Sequence, residues 1–356
     1  MPRPDDRSVV VIGAGAAGLT AAAALTAAGY DTVCLEARNR VGGRMLTTAN
    51  PALDLGATWF WDGETRVRDL VTRLGQQIFP QHTAGSAVYQ DDTGAYRLPN
   101  NPVDAPAYRF AAGAGALAER LAATLPDGVL RLATPVTAIR ETPQGLSVET
   151  AAESYETAHV VLAVPPALAA AHLDFGGALP EELLRVAAQT PVWMGAITKV
   201  VATYRRPFWR DRGLAGAAIS HSGPLRELHD MSGPDGATPA LFGFAAAATP
   251  GFRQAVTRQL TELFGPDAAE PEALHIQDWS TERWTSPPQV HRRTDYGLFG
   301  HPLYQRPALD GRLHWASTET STEYAGHIEG ALASGLRAAN TIACSSPDPK
   351  AEPCTK

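Results

Sequence analysis

A short β-branched run that ends in glycines governs what this chain can fold into. Ser8-Val9-Val10-Val11-Ile12 is apolar without alternation, as a strand buried on both faces requires. Gly13-Ala14-Gly15-Ala16-Ala17-Gly18 follows at once, and the alanine-rich stretch after it predicts a helix from about Ala16 to Ala28, with Gly29 as its C-cap. A second strand, Asp31 to Leu35, ends in Glu36. Strand, glycine turn, helix, strand and acid, in that order, predict the opening of a dinucleotide-binding fold. Gly13 permits the tight turn, Gly15 lets a pyrophosphate approach the backbone, and Gly18 lets helix and strand pack closely. The helix N-terminus offers N–H groups and a positive dipole end to the phosphates. Glu36 stands at the spacing of a carboxylate that accepts from ribose hydroxyls, and an acid there points to an unphosphorylated ribose. The bland alternative is a glycine-rich turn in some other α/β protein.

The chain has 356 residues, long for one domain and comfortable for two. At 44 % apolar and 19 % charged residues it suits a soluble protein with a sizeable core. A formal net charge of −7 argues against a nucleic-acid partner, since phosphate backbones need a basic surface. Cys34, Cys344 and Cys354 lack metal spacing and make no disulfide framework, so a reducing compartment and no metal are expected. The acidic N-terminus does not read as a signal peptide. Val9 to Gly29 has the length of a membrane span, but its glycines and its change from β-branched to alanine-rich favour a strand followed by a helix. No membrane association and a cytoplasmic location are expected.

Glu36-Ala37-Arg38-Asn39-Arg40-Val41-Gly42-Gly43-Arg44 resembles the extended motif E-A-x-x-R-x-G-G-R of the flavin-containing amine oxidase family. The resemblance implies FAD. Gly42 and Gly43 would fold backbone over the pyrophosphate, Ala37 and Arg38 would flank the nucleotide, and Arg44 would neutralise phosphate with a bidentate fork. Asp54-Leu55-Gly56-Ala57-Thr58-Trp59 is similar to the segment that reaches the flavin in that family. Leu313 to Glu319, read as a strand with an acidic end, and Tyr324-Ala325-Gly326-His327-Ile328-Glu329-Gly330-Ala331 resemble its C-terminal signature. By that resemblance Glu319 contacts the cofactor and the Ile328 backbone donates to the flavin pyrimidine from a helix start. Val160 to Pro166 resembles the strand that returns to the FAD domain, and Val136, in a strand from Leu132 to Ile139, would meet the adenine.

Met194 to Tyr204 alternates as a strand and runs into Pro207-Phe208-Trp209. The family carries a lysine on such a strand, holding water against flavin N5, and Lys199 matches it. A solvent-facing strand lysine is the alternative. The covalent flavin of mitochondrial monoamine oxidases requires a cysteine in the segment that Trp279 to Gln289 resembles; here there is none, so the resemblance implies non-covalent FAD. Where monoamine oxidases place two aromatic rings around the amine, Gln289 and His327 stand here. His327 reads either as a polar wall or proton acceptor, or as a helix-cap histidine. Trp59, Trp284 and Tyr324 are the aromatic candidates for the substrate pocket.

The resemblance implies an α/β fold: a Rossmann-type FAD-binding domain interleaved with a reduced substrate domain on a mixed or antiparallel sheet. The expected division gives 1–64, 112–191 and 275–345 to the FAD-binding domain and 65–111 and 192–274 to the substrate domain, with 346–356 a disordered tail. The expected activity is oxidation of a C–N bond in an amine or amino-acid-like small molecule. Hydride passes to flavin N5, and O2 or another acceptor reoxidises the flavin, O2 giving H2O2. Oxidation of C–C bonds, as in desaturases or protoporphyrinogen oxidase-like enzymes, and FAD binding without turnover stay open. The oligomeric state is not legible.

Overall fold

The computed structural model describes residues 7–246 and 248–345; the expected tail 346–356 lies outside them. Ser8–Ile12 is the centre of a five-stranded sheet. It pairs with Asp31–Leu35 on one side and His159–Leu162 on the other, so that Val10 lies between Val33 and Val160. Leu130–Arg131 and Leu313–Trp315 complete the sheet, and every pairing in it is parallel. A parallel sheet is covered on both faces, which is why Val9 to Ile12 carries no polar residue. Val9 and Val11 pack with Leu19 and Leu25 of helix Ala16–Ala27, Leu117 and Leu121 of helix Gly113–Ala122, and Leu332 and Ile342 of helix Ile328–Ser345. Val10 and Ile12 face the other way, onto Ile139, Leu146 and Val148 of a three-stranded antiparallel sheet and onto Leu183 and Val186 of helix Glu181–Gln189.

The second large sheet has seven strands, in the order Ala273–Asp278, Thr198–Thr203, Ala240–Ala245, Leu225–Asp230, Leu214–Ser220, Ser86–Asp91 and Gly94–Leu98. It is antiparallel except where Leu214–Ser220 meets Ser86–Asp91 in parallel, so the sheet is mixed. Val200 and Ala202 turn to the face covered by Val256 and Leu260 of helix Phe252–Phe264. Val201 turns to the opposite face, with Leu53, Met231 and Phe242. By the period of two, Lys199 shares that opposite face.

Several expected boundaries shift. The boundary drawn at 275 falls inside strand Ala273–Asp278 of the seven-stranded sheet. The strand expected from Met194 begins only at Thr198, because Met194 has φ +56°. The strand expected from Leu132 begins at Val136. Leu313–Trp315 stops early and gives way to a 3-10 turn, Thr318–Thr320, that carries the acid. Cys34 is buried and free, whereas Cys344 is disulfide-bonded. Among the described residues no helix is long and apolar enough to cross a membrane, and no group of three His, Cys, Asp or Glu could hold a metal ion.

Candidate active site

Four parallel strands end at one place. Gly13 follows Ser8–Ile12, Glu36 follows Asp31–Leu35, Ala163 follows His159–Leu162, and Ser317 lies just past Leu313–Trp315. All four residues line one cavity of about 620 Å³. In open α/β sheets ligands bind there, outside the carboxyl ends of the strands.

The glycine turn shapes one end of the cavity. Gly13 has φ +103° and donates its N–H to the Leu35 carbonyl at 2.8 Å. A Cβ on Gly18 would stand 1.8 Å from the Gly13 oxygen, so the backbone itself excludes a side chain. A Cβ on Gly15 would meet nothing within 4 Å, because that residue faces the cavity. This open cradle at the N-terminus of the 12-residue helix Ala16–Ala27 fits a pyrophosphate. Glu36 is buried and accepts from Ala14 N at 2.8 Å and from Arg38 N at 2.9 Å. A carboxylate has about four lone-pair sites, which leaves two for ribose hydroxyls. The loop that follows folds back over the turn, with Gly42 N donating to the Ala14 carbonyl at 2.8 Å. Ala37, Arg38, Gly43, Arg44 and Val136 join this lining. Arg38 is held in place by Glu282 at 3.3 Å and by Thr285 Oγ1 at 2.7 Å.

Arg44 and Glu319 form an ion pair at the cavity wall. The Arg44 guanidinium is forked onto Glu319, at 2.6 and 3.1 Å, and also donates to the Trp193 carbonyl at 3.0 Å. Glu319 is fully buried, accepts from Trp193 N at 3.0 Å, and is not among the lining residues. Burial pushes its carboxyl up, but Arg44 and backbone N–H groups, Trp193 among them, together outweigh burial and hold it below the usual range. A carboxylate at that depth needs a cation, and Arg44 supplies it from the cavity wall.

The other end of the cavity belongs to the face of the seven-stranded sheet. Lys199 is buried, opposite Phe244 in the sheet register. Its Nζ donates to the Gly56 carbonyl at 3.0 Å and to Thr58 Oγ1, and lies 4.3 Å from the centre of the Phe242 ring. Burial lowers its pKa to about 7, against the pull of Asp54. The solvent-facing alternative is therefore excluded by position. Gly56, Ala57, Thr58 and Trp59 line the cavity beside it. Trp59 donates its ring N–H to Gln81 at 3.0 Å and meets the His229 ring edge-on at 4.8 Å.

Ile328 opens helix Ile328–Ser345 and lines the cavity, as does His327 before it. His327 Nδ1 lies 2.5 Å from Glu64 Oε1, and its ring lies 5.0 Å from that of Trp61. Two expected pocket residues are not among the lining. Gln289 is exposed, at φ +59°, and bonded to Arg292. Tyr324 is 43 % exposed, and its hydroxyl donates to the Gly63 carbonyl at 3.1 Å. Both sit in left-handed turns that point them off the site. Trp284 lines the cavity, but its neighbour Thr285 holds Arg38, which puts it toward the Glu36 end.

The sequence reading missed Glu64, Trp61, Trp193, Phe244 and the group around His229. His229 is buried between Asp104 at 2.5 Å and Glu227 at 2.8 Å, and Glu227 lines the cavity. Burial lowers the His229 pKa, but the two carboxylates outweigh it and the net shift is upward. Only the alternation Glu227, His229 along one strand face signals this in the sequence. Nothing in the sequence signals Asp104, which comes from 125 residues away.

Comparison with known proteins agrees with the geometry. Residues 103–343 match the family described as flavin containing amine oxidoreductase, and residues 11–74 match an NAD(P)-binding Rossmann-like domain. The chain is 28 % identical to the putative flavin-containing monoamine oxidase AofH of Mycobacterium tuberculosis, over 94 % of this chain and 96 % of that one. It is 30 % identical to an L-amino acid dehydrogenase of Synechocystis, over 65 % of this chain and 50 % of that one. In structure it is similar to the cyclohexylamine oxidase of Brevibacterium oxydans, with a TM-score of 0.82, 23 % identity, and coverage of 96 % of this chain and 99 % of that one.

Proposed function

The chain belongs to the flavin-containing amine oxidoreductase family and is an FAD-dependent oxidoreductase, and from that premise we propose that it oxidises the C–N bond of a small amine or amino-acid-like molecule. The residues present fit the cofactor: the Gly15 cradle takes the pyrophosphate, Glu36 the ribose, the Val136 backbone the adenine, and the Ile328 N–H the pyrimidine edge. No cysteine is among the lining residues, which fits non-covalent FAD. We read the five-stranded parallel sheet as the core of the FAD-binding domain and the seven-stranded sheet as the floor of the substrate domain.

Lys199 is the observation that carries this reading. A lysine lining a ligand cavity while buried, with a pKa lowered to about 7, is a costly group to keep. Bound FAD supplies the two-electron acceptor for hydride leaving the substrate carbon, and water then hydrolyses the imine product. Lys199 is pinned by Gly56 and Thr58, so its remaining N–H can hold a water in the cavity. Its charge favours O2 as acceptor and H2O2 as product, because it stabilises negative charge developing on oxygen. His327 takes a proton from the substrate ammonium, and Trp61 beside it keeps that face dry.

The test is anaerobic mixing of the yellow holoprotein with benzylamine, cyclohexylamine, putrescine, L-amino acids and a porphyrinogen, followed by air and a peroxide assay. Bleaching of the flavin bands by an amine, and colour returning with peroxide, is expected. Bleaching by a porphyrinogen and by no amine would move the assignment to C–C oxidation. No bleaching by any of them would leave FAD binding without turnover.

A further inference from the structure

His327 and Glu64 come from opposite ends of the chain, 263 residues apart, and meet at 2.5 Å. Glu64 is buried, with its side chain 1 % exposed, while the His327 ring is one-third exposed and lines the cavity. Two turns are pinned together to make this contact. Glu64 N donates to the Trp61 carbonyl at 3.0 Å, and His327 N donates to the Tyr324 carbonyl at 3.0 Å. The Tyr324 hydroxyl then donates across to the Gly63 carbonyl at 3.1 Å. Glu64 also caps helix Thr65–Arg73 by position, and its second oxygen accepts from Trp61 N at 3.4 Å. One imidazole nitrogen is thus committed to a buried carboxylate, and Nε2 is the nitrogen left for the cavity.

We propose that Glu64 is a positioning residue which holds His327 as the Nδ1–H tautomer, so that Nε2 is the proton acceptor for a protonated primary or secondary amine. The step is a proton transfer alone. The substrate N–H bond breaks, an Nε2–H bond forms, and the nitrogen lone pair returns to the amine, which goes on as the free base. The carboxylate does two things. It fixes the tautomer and ring plane, and it stabilises the imidazolium that forms, as an orienting acid does for any histidine base. The other charged groups around the pair are Arg66 and Glu329 on the adjoining helices and Glu323 in the bend between the 3-10 turn and the second helix, which pair among themselves, and Lys199, which lines the same cavity. The proposal rests on the reading of His327 as the amine's proton acceptor.

The test uses the FAD-loaded protein labelled with 15N-histidine, in wild type, Glu64→Gln, Glu64→Asp and His327→Gln. Flavin content and circular dichroism check that each variant is folded. In the wild type the His327 resonances are expected to report Nδ1 protonation in the neutral ring. With Glu64→Gln the fixed tautomer should be lost and the neutral ring should show both Nδ1–H and Nε2–H forms, since the carboxylate that accepts from Nδ1 has been removed. The limiting rate of anaerobic flavin reduction by benzylamine, cyclohexylamine or putrescine, whichever reduces fastest, should fall about tenfold in Glu64→Gln, with a displaced acid limb. Glu64→Asp should lie between Gln and wild type. His327→Gln should remove that limb. An Nε2–H tautomer in the wild type, or a tautomer and a limiting rate that Glu64→Gln leaves in place, would overturn the role of Glu64. An acid limb that survives in His327→Gln would overturn the reading of His327 instead, so the two failures are separable.

Discussion

Replacing Lys199 by methionine separates what this residue costs the fold from what it gives the site. In the unfolded chain the amine is charged up to its ordinary pKa of 10.5, and in the folded protein only below about 7. Between those values the unfolded state binds one more proton, so wild-type stability must rise with pH from about 7 to 10.5. At about 1.4 kcal/mol per tenfold change in proton affinity, the fall from 10.5 to about 7 corresponds to roughly 5 kcal/mol. Lys199 is buried, so solvent screening does not reduce this much. Methionine keeps most of the volume and removes the charge. It also loses the hydrogen bonds to Gly56 and Thr58, a cost that does not change with pH. Urea unfolding followed by tryptophan fluorescence at pH 6, 7, 8, 9 and 10 gives the difference between the two proteins. That difference should move several kcal/mol in favour of the wild type from pH 6 to pH 10, while flavin reduction or reoxidation by the variant slows strongly. Parallel stability curves over the whole range would refute the argument that burial holds this lysine near neutrality.

Arg44→Ala should destabilise by about 3–5 kcal/mol, because it leaves Glu319 buried without its cation; urea unfolding that shows a loss under about 1 kcal/mol would refute this role for the ion pair. Gly15→Val should fold but take up no FAD, as its side chain enters open cavity, whereas Gly18→Ala should fail to fold because its Cβ meets the Gly13 oxygen at 1.8 Å. Flavin absorbance per protein and circular dichroism distinguish the two outcomes. His229→Asn should cost about 1–3 kcal/mol at pH 6. Asp104 and Glu227 raise the His229 pKa against burial, so this stabilisation is full below the ordinary 6.5 and fades as pH rises through the raised value. Melting temperatures at pH 6 and pH 9 test this, and an equal loss at both would contradict it.

The nucleotide half was readable because its physics is local. A turn that needs φ +103° at Gly13, an uncluttered Gly15, a packed Gly18 and an acid one strand later are all spaced along one short stretch. The lysine was readable for a similar reason, since strand alternation fixes which face Lys199 shares with Val201. The substrate half was not. Gln289 was matched by sequence position and Tyr324 offered as a nearby aromatic wall, but a left-handed backbone at each turns the side chain away from the cavity. Glu64 sits in an ordinary helix-start context, Asp-Gly-Glu-Thr, and only its contact with His327 gives it meaning.

The sequence by itself therefore determined the strand–turn–helix that receives FAD, the family, and a lysine on the right face of a strand. Tertiary structure alone decided who neutralises whom. Arg44 goes to Glu319 across 275 residues, His327 to Glu64 across 263, and His229 to Asp104 across 125. The reason is that burial makes a charge seek the nearest opposite charge in space, and distance along the chain carries no information about that distance. The glycine motif promised a dinucleotide. The fold added that an arginine of the cavity wall is paired with a buried glutamate, and that a histidine–glutamate pair stands at the far end of the same cavity.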